Sequence, residues 1–462
     1  MRQRIRDLWP RLLRVLLVAY QIVAVWVAVP FLVRGLRLLV DHNWASNGWG
    51  DGRVDWAAAQ LYLNGGSPYT PAGLHALGLD QYGFGHPPTT PFWFIRLAPF
   101  SEVVMAQIVA LLAILALLLH VLICVDELEL PSRLITTLLV FSLLVGAPWM
   151  IEHFHVIQIS EFIAILYVLA WYHLRHEREV LAGVCIGFAC TLKLFPGLMV
   201  VYLLLARRWR AAIAAIASYL PIAIIMSWGY GFDSWRLFFS QQGHIADTWM
   251  GDIRNASIHG IVLRLLTPTC VAHAAPHPLG ALLASLAALL VLAFTIFATR
   301  REIRRRDTID LPFALFTTVS AFLNAWIWEH YRVLLILPML VVARSIADAA
   351  GAAWTRRSDQ ETRRAQVLRW LAIAGAAAIW LGAAYGLTDE VWDKDIALRA
   401  YQHSAGMAAE ARHALHVRLH WLEVRNWLSW VLVMTAISWL LLGRARRVQL
   451  PKTPSSQPLG SA

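Results

Sequence analysis

The residues with the strongest claim to chemistry sit in a few short, polar stretches between long apolar ones. The first such stretch runs over 41–88 and carries Asp41, Asp51 and Asp55 among many Gly, Trp, Tyr and Pro residues. The second is Glu152-His153-Phe154-His155-Val156-Ile157-Gln158, and the third spans Asn255-Ala256-Ser257 through Arg264. The fourth, Trp328-Glu329-His330-Tyr331-Arg332, is a brief polar step between two apolar segments. Carboxylates can take a proton from a hydroxyl, while cations and imidazoles can hold a phosphate and steady developing charge. Ionised groups at a membrane boundary are expensive, so their presence there points to function.

The elements that must position these groups are helices in a bilayer. Of 462 residues 58% are apolar and 15% charged, where a soluble domain carries roughly 25% charged residues. The sequence therefore predicts an all-α polytopic integral membrane protein. Spanning-length apolar segments fall at 12–33, 99–125, 134–150, 156–173, 211–230, 278–299, 311–328, 332–348, 367–387 and 426–443. Segment 180–206 is basic at both ends and interrupted by Lys193-Leu194-Phe195-Pro196. Proline removes a helical hydrogen bond, so this segment is expected to be a broken hairpin of two half-helices. The total is about 12 transmembrane or half-membrane helices in a single domain over 1–450, followed by a Pro/Ser-rich, disordered tail over 451–462.

Charge sets the orientation. The net charge of +11 comes from Lys/Arg clusters between apolar runs, a topogenic pattern and not a nucleic-acid face. With both termini in the cytoplasm, roughly two-thirds of the 40 Lys and Arg residues lie inside, in accord with the positive-inside bias. The outer loops are then 34–98, 149–155, 231–277, 329–331 and 388–425, and all four polar stretches share that face. The basic N-terminus is read as an uncleaved first span. The 22 Trp residues suit interfacial belts. Cys124, Cys185, Cys190 and Cys270 form neither a disulfide framework nor a metal-ligand spacing.

The run Val54-Asp55-Trp56, then Tyr62-Leu63-Asn64-Gly65-Gly66-Ser67-Pro68-Tyr69, then Pro87-Pro88 resembles the first outer loop of glycosyltransferase family 87. Gln158, Lys193 with Pro196, Asn255/Ser257/Arg264, and Trp328-Glu329-His330-Tyr331 with Pro338 follow in the family's order. The chain departs from the pattern at His86, where an aromatic often precedes the Pro pair, and at Asn324-Ala325-Trp326. This polyprenol-phosphate-mannose-dependent group implies a GT-C membrane fold with 41–98 as the catalytic loop. It also implies inverting transfer of a hexose, mannose by the resemblance, from a polyprenyl-phosphate sugar to a glycan or glycolipid hydroxyl. The reaction would lie on the outer, periplasmic face of the cytoplasmic membrane, with donor lipid, acceptor and bilayer as partners. The resemblance implies that the loop Asp before an aromatic is the base, Asp55 with Asp51 as runner-up. It implies donor-phosphate and substrate contacts from His330, Arg264, Arg332, Lys193, Glu329, Asn255 and Tyr69. No cofactor is expected and no dedicated metal ligands are evident, although Asp51 and Asp55 could share a divalent ion.

Plainer readings compete at each position. Asp55 could be a first-turn helix acid, Asp41 and Asp51 solvated turn residues, and Gln158 and Asn255 interhelical hydrogen-bonders. Lys193 could snorkel to the cytoplasmic interface. A secondary transporter, or a flippase of polyprenyl-linked or small polar substrates, also uses broken helices. That class predicts corresponding half-chains, and no internal repeat is visible.

Overall fold

A computed structural model describes residues 50–266 and 278–355, apart from 81–82, 131, 253–254 and 306, together with 427–443 and, nearer the N-terminus, 15, 18–19, 21–33, 35 and 37. The regular elements among these residues are helical, as expected of the class. Three helices are long and apolar enough to cross a membrane: α4 (Glu102–Glu127), α10 (Trp209–Tyr230) and α13, within which Leu279–Thr299 qualifies. Gln21–Val33, Arg133–Val145, Glu179–Leu192, Asp310–Phe322 and Trp427–Gly443 are shorter apolar helices.

Several expected spans are subdivided. Segment 134–150 becomes α5 (Arg133–Val145) and part of α6 (Pro148–His155), while α7 begins at Ser160 and runs to Arg175. Segment 332–348 opens as a 3₁₀ turn, Glu329–Leu335, before α15 (Ile336–Thr355). Segment 367–387 lies outside the described residues.

The broken segment forms as two pieces, α8 (Glu179–Leu192) and α9 (Gly197–Leu205), with Lys193 extended between them. Arg208, just beyond α9, pairs with Glu179 at the start of α8 at 3.0 Å. The hairpin therefore begins and ends at one level, with Lys193 at its tip. Its packing follows from small residues. A Cβ on Gly183 would lie 2.1 Å from the Ala211 carbonyl oxygen, and one on Gly187 2.3 Å from that of Ala215. The Gly183-x-x-x-Gly187 face thus meets Ala211 and Ala215 of α10 with backbones in contact, the two helices running in the same direction. Small residues spaced by four are how membrane helices approach this closely.

The end of α7 opposite its start is tied by ions. Arg175 donates to Asp310 of α14 (Asp310–Phe322) at 2.7 Å and to Glu127 at 3.0 Å, and Trp171 Nε1 donates to Asp310 at 2.9 Å. A second polar layer gathers around the start of α7. Sixteen residues of helix separate the two layers, about 24 Å at 1.5 Å per residue.

Candidate functional site

Helix α2 (Asp51–Leu63) carries the two carboxylates. Gly50 is its extended N-cap, so Asp51 is the first-turn acid and Asp55 lies one turn further in, on the same face. This corrects the reading of Asp55 as a helix-start residue. Asp55, Ala58 and Ala59 are buried, and the helix is held from outside by Trp56 Nε1 donating to Leu97 O and Gln60 Nε2 to Ala98 O, both at 3.0 Å. Asp51 is not a solvated turn residue either, because Gln158 Nε2 donates a short hydrogen bond to its Oδ2. Gly52 allows that approach: a Cβ there would come within 2.4 Å of the Ile157 carbonyl oxygen. Ile157 itself sits at φ 52°, a strained position for a β-branched residue that aims Gln158 at Asp51.

Asp55 is met by His86, whose Nδ1 lies 2.6 Å from Asp55 Oδ1. Asp55 Oδ2 is buried and has no hydrogen-bond partner among the described residues. Burial pushes the Asp55 carboxyl above the usual carboxylate range, opposed by His86 and Lys193. His86 is fixed through its own backbone, since Tyr69 Oη donates to its carbonyl at 2.7 Å. Tyr69 in turn packs edge-on against Phe84, Tyr230 and Phe238. Its hydroxyl is thus committed to the segment that carries His86.

From the hairpin tip comes Lys193, buried, donating from Nζ to the Tyr331 hydroxyl and lying 4.6 Å from that ring's centroid. It feels the charges of Asp51 and Asp55. A lysine snorkelling to an interface would be exposed, so that reading falls. His330 stacks on Tyr331 at 4.9 Å, and His153 approaches His330 at 6.5 Å between ring centroids. Burial lowers both imidazoles, His153 to about 3 and His330 well below the usual range, with the Lys193 charge adding to each. Both are neutral at physiological pH. His330 Nε2, both ring nitrogens of His153 and Gln158 Oε1 are buried without hydrogen-bond partners among the described residues.

Asn255 and Arg264 sit in a separate knot. Asn255 Nδ2 donates to Met250 O and Ala325 O at 2.9 Å, while its Oδ1 accepts from Ser257 N and Ile327 N. Arg264 donates to the carbonyls of Asp252 and Asn255. These bonds stitch the loop before α12 (Ile258–Leu266) to the residues just ahead of Trp328. Arg332 is buried and Glu329 half-buried, both in the 3₁₀ turn that carries His330.

The structure therefore brings together Asp51, Asp55, Lys193 and His330 of the expected set. It adds His86, His153 and Tyr331, which sequence reasoning did not count as site residues. His86 had left a signal as a departure beside the Pro pair, and His153 stood in a conspicuous His/Glu run. Among the described residues no group of three or more His, Cys, Asp or Glu is arranged to hold a metal ion. A buried carboxylate with one uncommitted oxygen, a lysine and two neutral imidazoles can accept a proton, face an anion and bind hydroxyls.

The profile of glycosyltransferase family 87 matches residues 84–327, more than half of the chain. His86, His153, Gln158 and Lys193 fall inside the match, with Asp51 and Asp55 before it and His330 after. The polyprenol-phosphate-mannose-dependent alpha-(1-2)-phosphatidylinositol mannoside mannosyltransferase of Mycobacterium tuberculosis (strain ATCC 25618 / H37Rv) is 26% identical over 217 residues. That alignment covers 43% of this chain and 48% of the relative, so the chain spans about half the length of the curated relative it matches. No solved structure matches the chain.

Proposed function

We propose, from the premise that this chain belongs to glycosyltransferase family 87, that it is an inverting, GT-C-type membrane enzyme. It moves a hexose, mannose by analogy with the relative's name, from a polyprenyl-phosphate sugar to a hydroxyl of a glycan or glycolipid. The site faces the outer side of the cytoplasmic membrane. Family membership sets the transporter reading aside.

One observation carries the proposal: Asp55 is wholly buried, and its Oδ2 has no hydrogen-bond partner among the described residues while lying within electrostatic reach of Lys193. A sugar hydroxyl is a weak nucleophile at neutral pH and needs a base next to it. In the proposed step the acceptor O–H bond breaks and its proton passes to Asp55 Oδ2. The acceptor oxygen bonds to the sugar's anomeric carbon from the face opposite the phosphate. The bond from that carbon to the phosphate oxygen breaks, and its electron pair stays on the phosphate.

Lys193 is a buried cation whose charge reaches Asp55 and Asp51, a point charge on a pre-set helix break suited to the departing phosphate. His153 and His330, being neutral, are matched to hydroxyls better than to phosphate, since a neutral imidazole both donates and accepts. Arg264 holds backbone carbonyls, so its contribution is to the loop more than to the donor.

The experiment uses the purified chain in nanodiscs with a synthetic polyprenyl-phosphate mannose and a water-soluble mannoside acceptor. Transfer with inversion of the anomeric centre is expected. Transfer with retention, or no transfer from any polyprenyl-phosphate hexose, overturns the proposal.

A further inference from the structure

Asp55 and His86 come from different parts of the chain, yet their approach is the closest ionic contact made by either carboxylate of α2: 2.6 Å between Oδ1 and Nδ1. The Asp55 side chain is 0% exposed and that of His86 14%. The imidazole is held on both sides. Tyr69 grips its carbonyl, Phe84 meets its ring edge-on at 5.9 Å, and the Phe84 amide is anchored on Gln241 at 3.1 Å. Pro87 and Pro88 restrict the backbone that follows. Such a clamp is more than a core position needs.

We infer that His86 is the positioning residue of Asp55: its Nδ1–H fixes Oδ1, leaving Oδ2 as the single oxygen that receives the acceptor's proton. The inference rests on the reading of Asp55 as the base. A lone buried carboxylate can turn about its terminal torsion, offering either oxygen or neither. A bond from Nδ1–H removes that freedom and favours the ionised form that burial disfavours. The proton on Nδ1 stays on His86 throughout; the acceptor's proton rests on Oδ2 and leaves to water with the product.

The other charged or titratable groups acting on Asp55 are Asp51, one turn earlier on α2, and Lys193 from the hairpin tip. The Tyr69, Tyr230 and Tyr331 hydroxyls also lie within its electrostatic reach. Lys193 supports ionisation through space, but among the described residues only His86 bonds the carboxylate directly.

The test compares His86→Phe, His86→Asn and Asp55→Asn in nanodiscs, measuring kcat, donor KM and the acid limb of the rate profile. His86→Phe keeps an aromatic ring and loses the donor. It is expected to lower kcat about 10- to 150-fold, the span of one hydrogen bond to a charged group, to leave donor KM little changed, and to move the acid limb to higher pH. His86→Asn can place an amide N–H near the Nδ1 position and is expected to restore the limb and most of kcat. Wild-type kcat and acid limb in His86→Phe overturn the inference. So does an equal loss in both His86 variants with the limb unmoved, which is the mark of a structural role alone. Asp55→Asn at the wild-type rate would instead overturn the base reading, and the dyad with it.

Discussion

Replacing Lys193 by Met separates the charge at the hairpin tip from the tip's shape. The thioether follows the apolar stem of lysine but removes the donor to Tyr331, the cation over its ring and the positive charge facing Asp51 and Asp55. Two effects follow, visible in different assays. Loss of one charge-assisted bond to a donor phosphate costs on the order of 1.5–3 kcal/mol. That is about a 10- to 150-fold fall in kcat/KM for the lipid donor. Leaving the buried Tyr331 hydroxyl without its partner, and Asp55 without the cation that faces it, costs the fold about 1–3 kcal/mol, read as a lower thermal midpoint in the same nanodiscs. Lys193→Arg keeps the charge and should recover part of both. Titrating a polyprenyl-phosphate sugar at saturating acceptor gives the donor term directly. Lys193→Met with wild-type kcat/KM for the donor would refute the assignment, whatever its stability.

Three further outcomes are expected. Gly183→Leu and Gly187→Leu, which push side chains into α10 backbone, should each lower stability by about 1–3 kcal/mol or more; Gly197→Ala, with nothing within 4 Å of its Cβ, should be neutral, and denaturation midpoints decide. Transfer needs ionised Asp55, and burial raises its carboxyl, so activity should fall on acidification at a pH above the ordinary Asp value of about 3.9; buried, neutral His153 adds a loss of stability in the same direction, its contribution being full above 6.5 and lost as pH drops towards about 3. Cysteines placed at Asn47 and Ala405 should label with an impermeant reagent on intact cells, and labelling only after permeabilisation would reverse the orientation.

Much of the frame was legible in the sequence because membrane physics writes it plainly. Long apolar runs, a proline inside one of them and basic flanks were enough to expect α4, α10, α13 and the break at Lys193. Asp55 stood out because a carboxylate beside a membrane span needs a reason. What could not be read was proximity. His86 and Asp55 lie 31 residues apart, and no local pattern announces that a loop imidazole will reach a helix carboxylate. The same holds for Tyr331 and Lys193, 138 residues apart, which meet only because the hairpin carries its tip to the 3₁₀ turn. Arg264 and Asn255 show the converse. Their polarity suggests substrate, and what the fold adds is that both also bond the backbone carbonyls and amides of an irregular loop. The helix boundaries also shifted, with 134–150 divided between two helices, because periodicity does not register where a chain turns at Gly146.

Whether Asp55 takes the acceptor's proton is decided by Asp55→Asn. The amide keeps the shape and a partner for His86 but cannot serve as a base. General-base assistance is typically worth 10²–10⁴-fold. With donor and acceptor saturating, the initial transfer rate should fall at least about 10²-fold, while binding of the polyprenyl-phosphate sugar persists and Asp51→Asn is milder. A near wild-type rate for Asp55→Asn would mean that another group takes the proton.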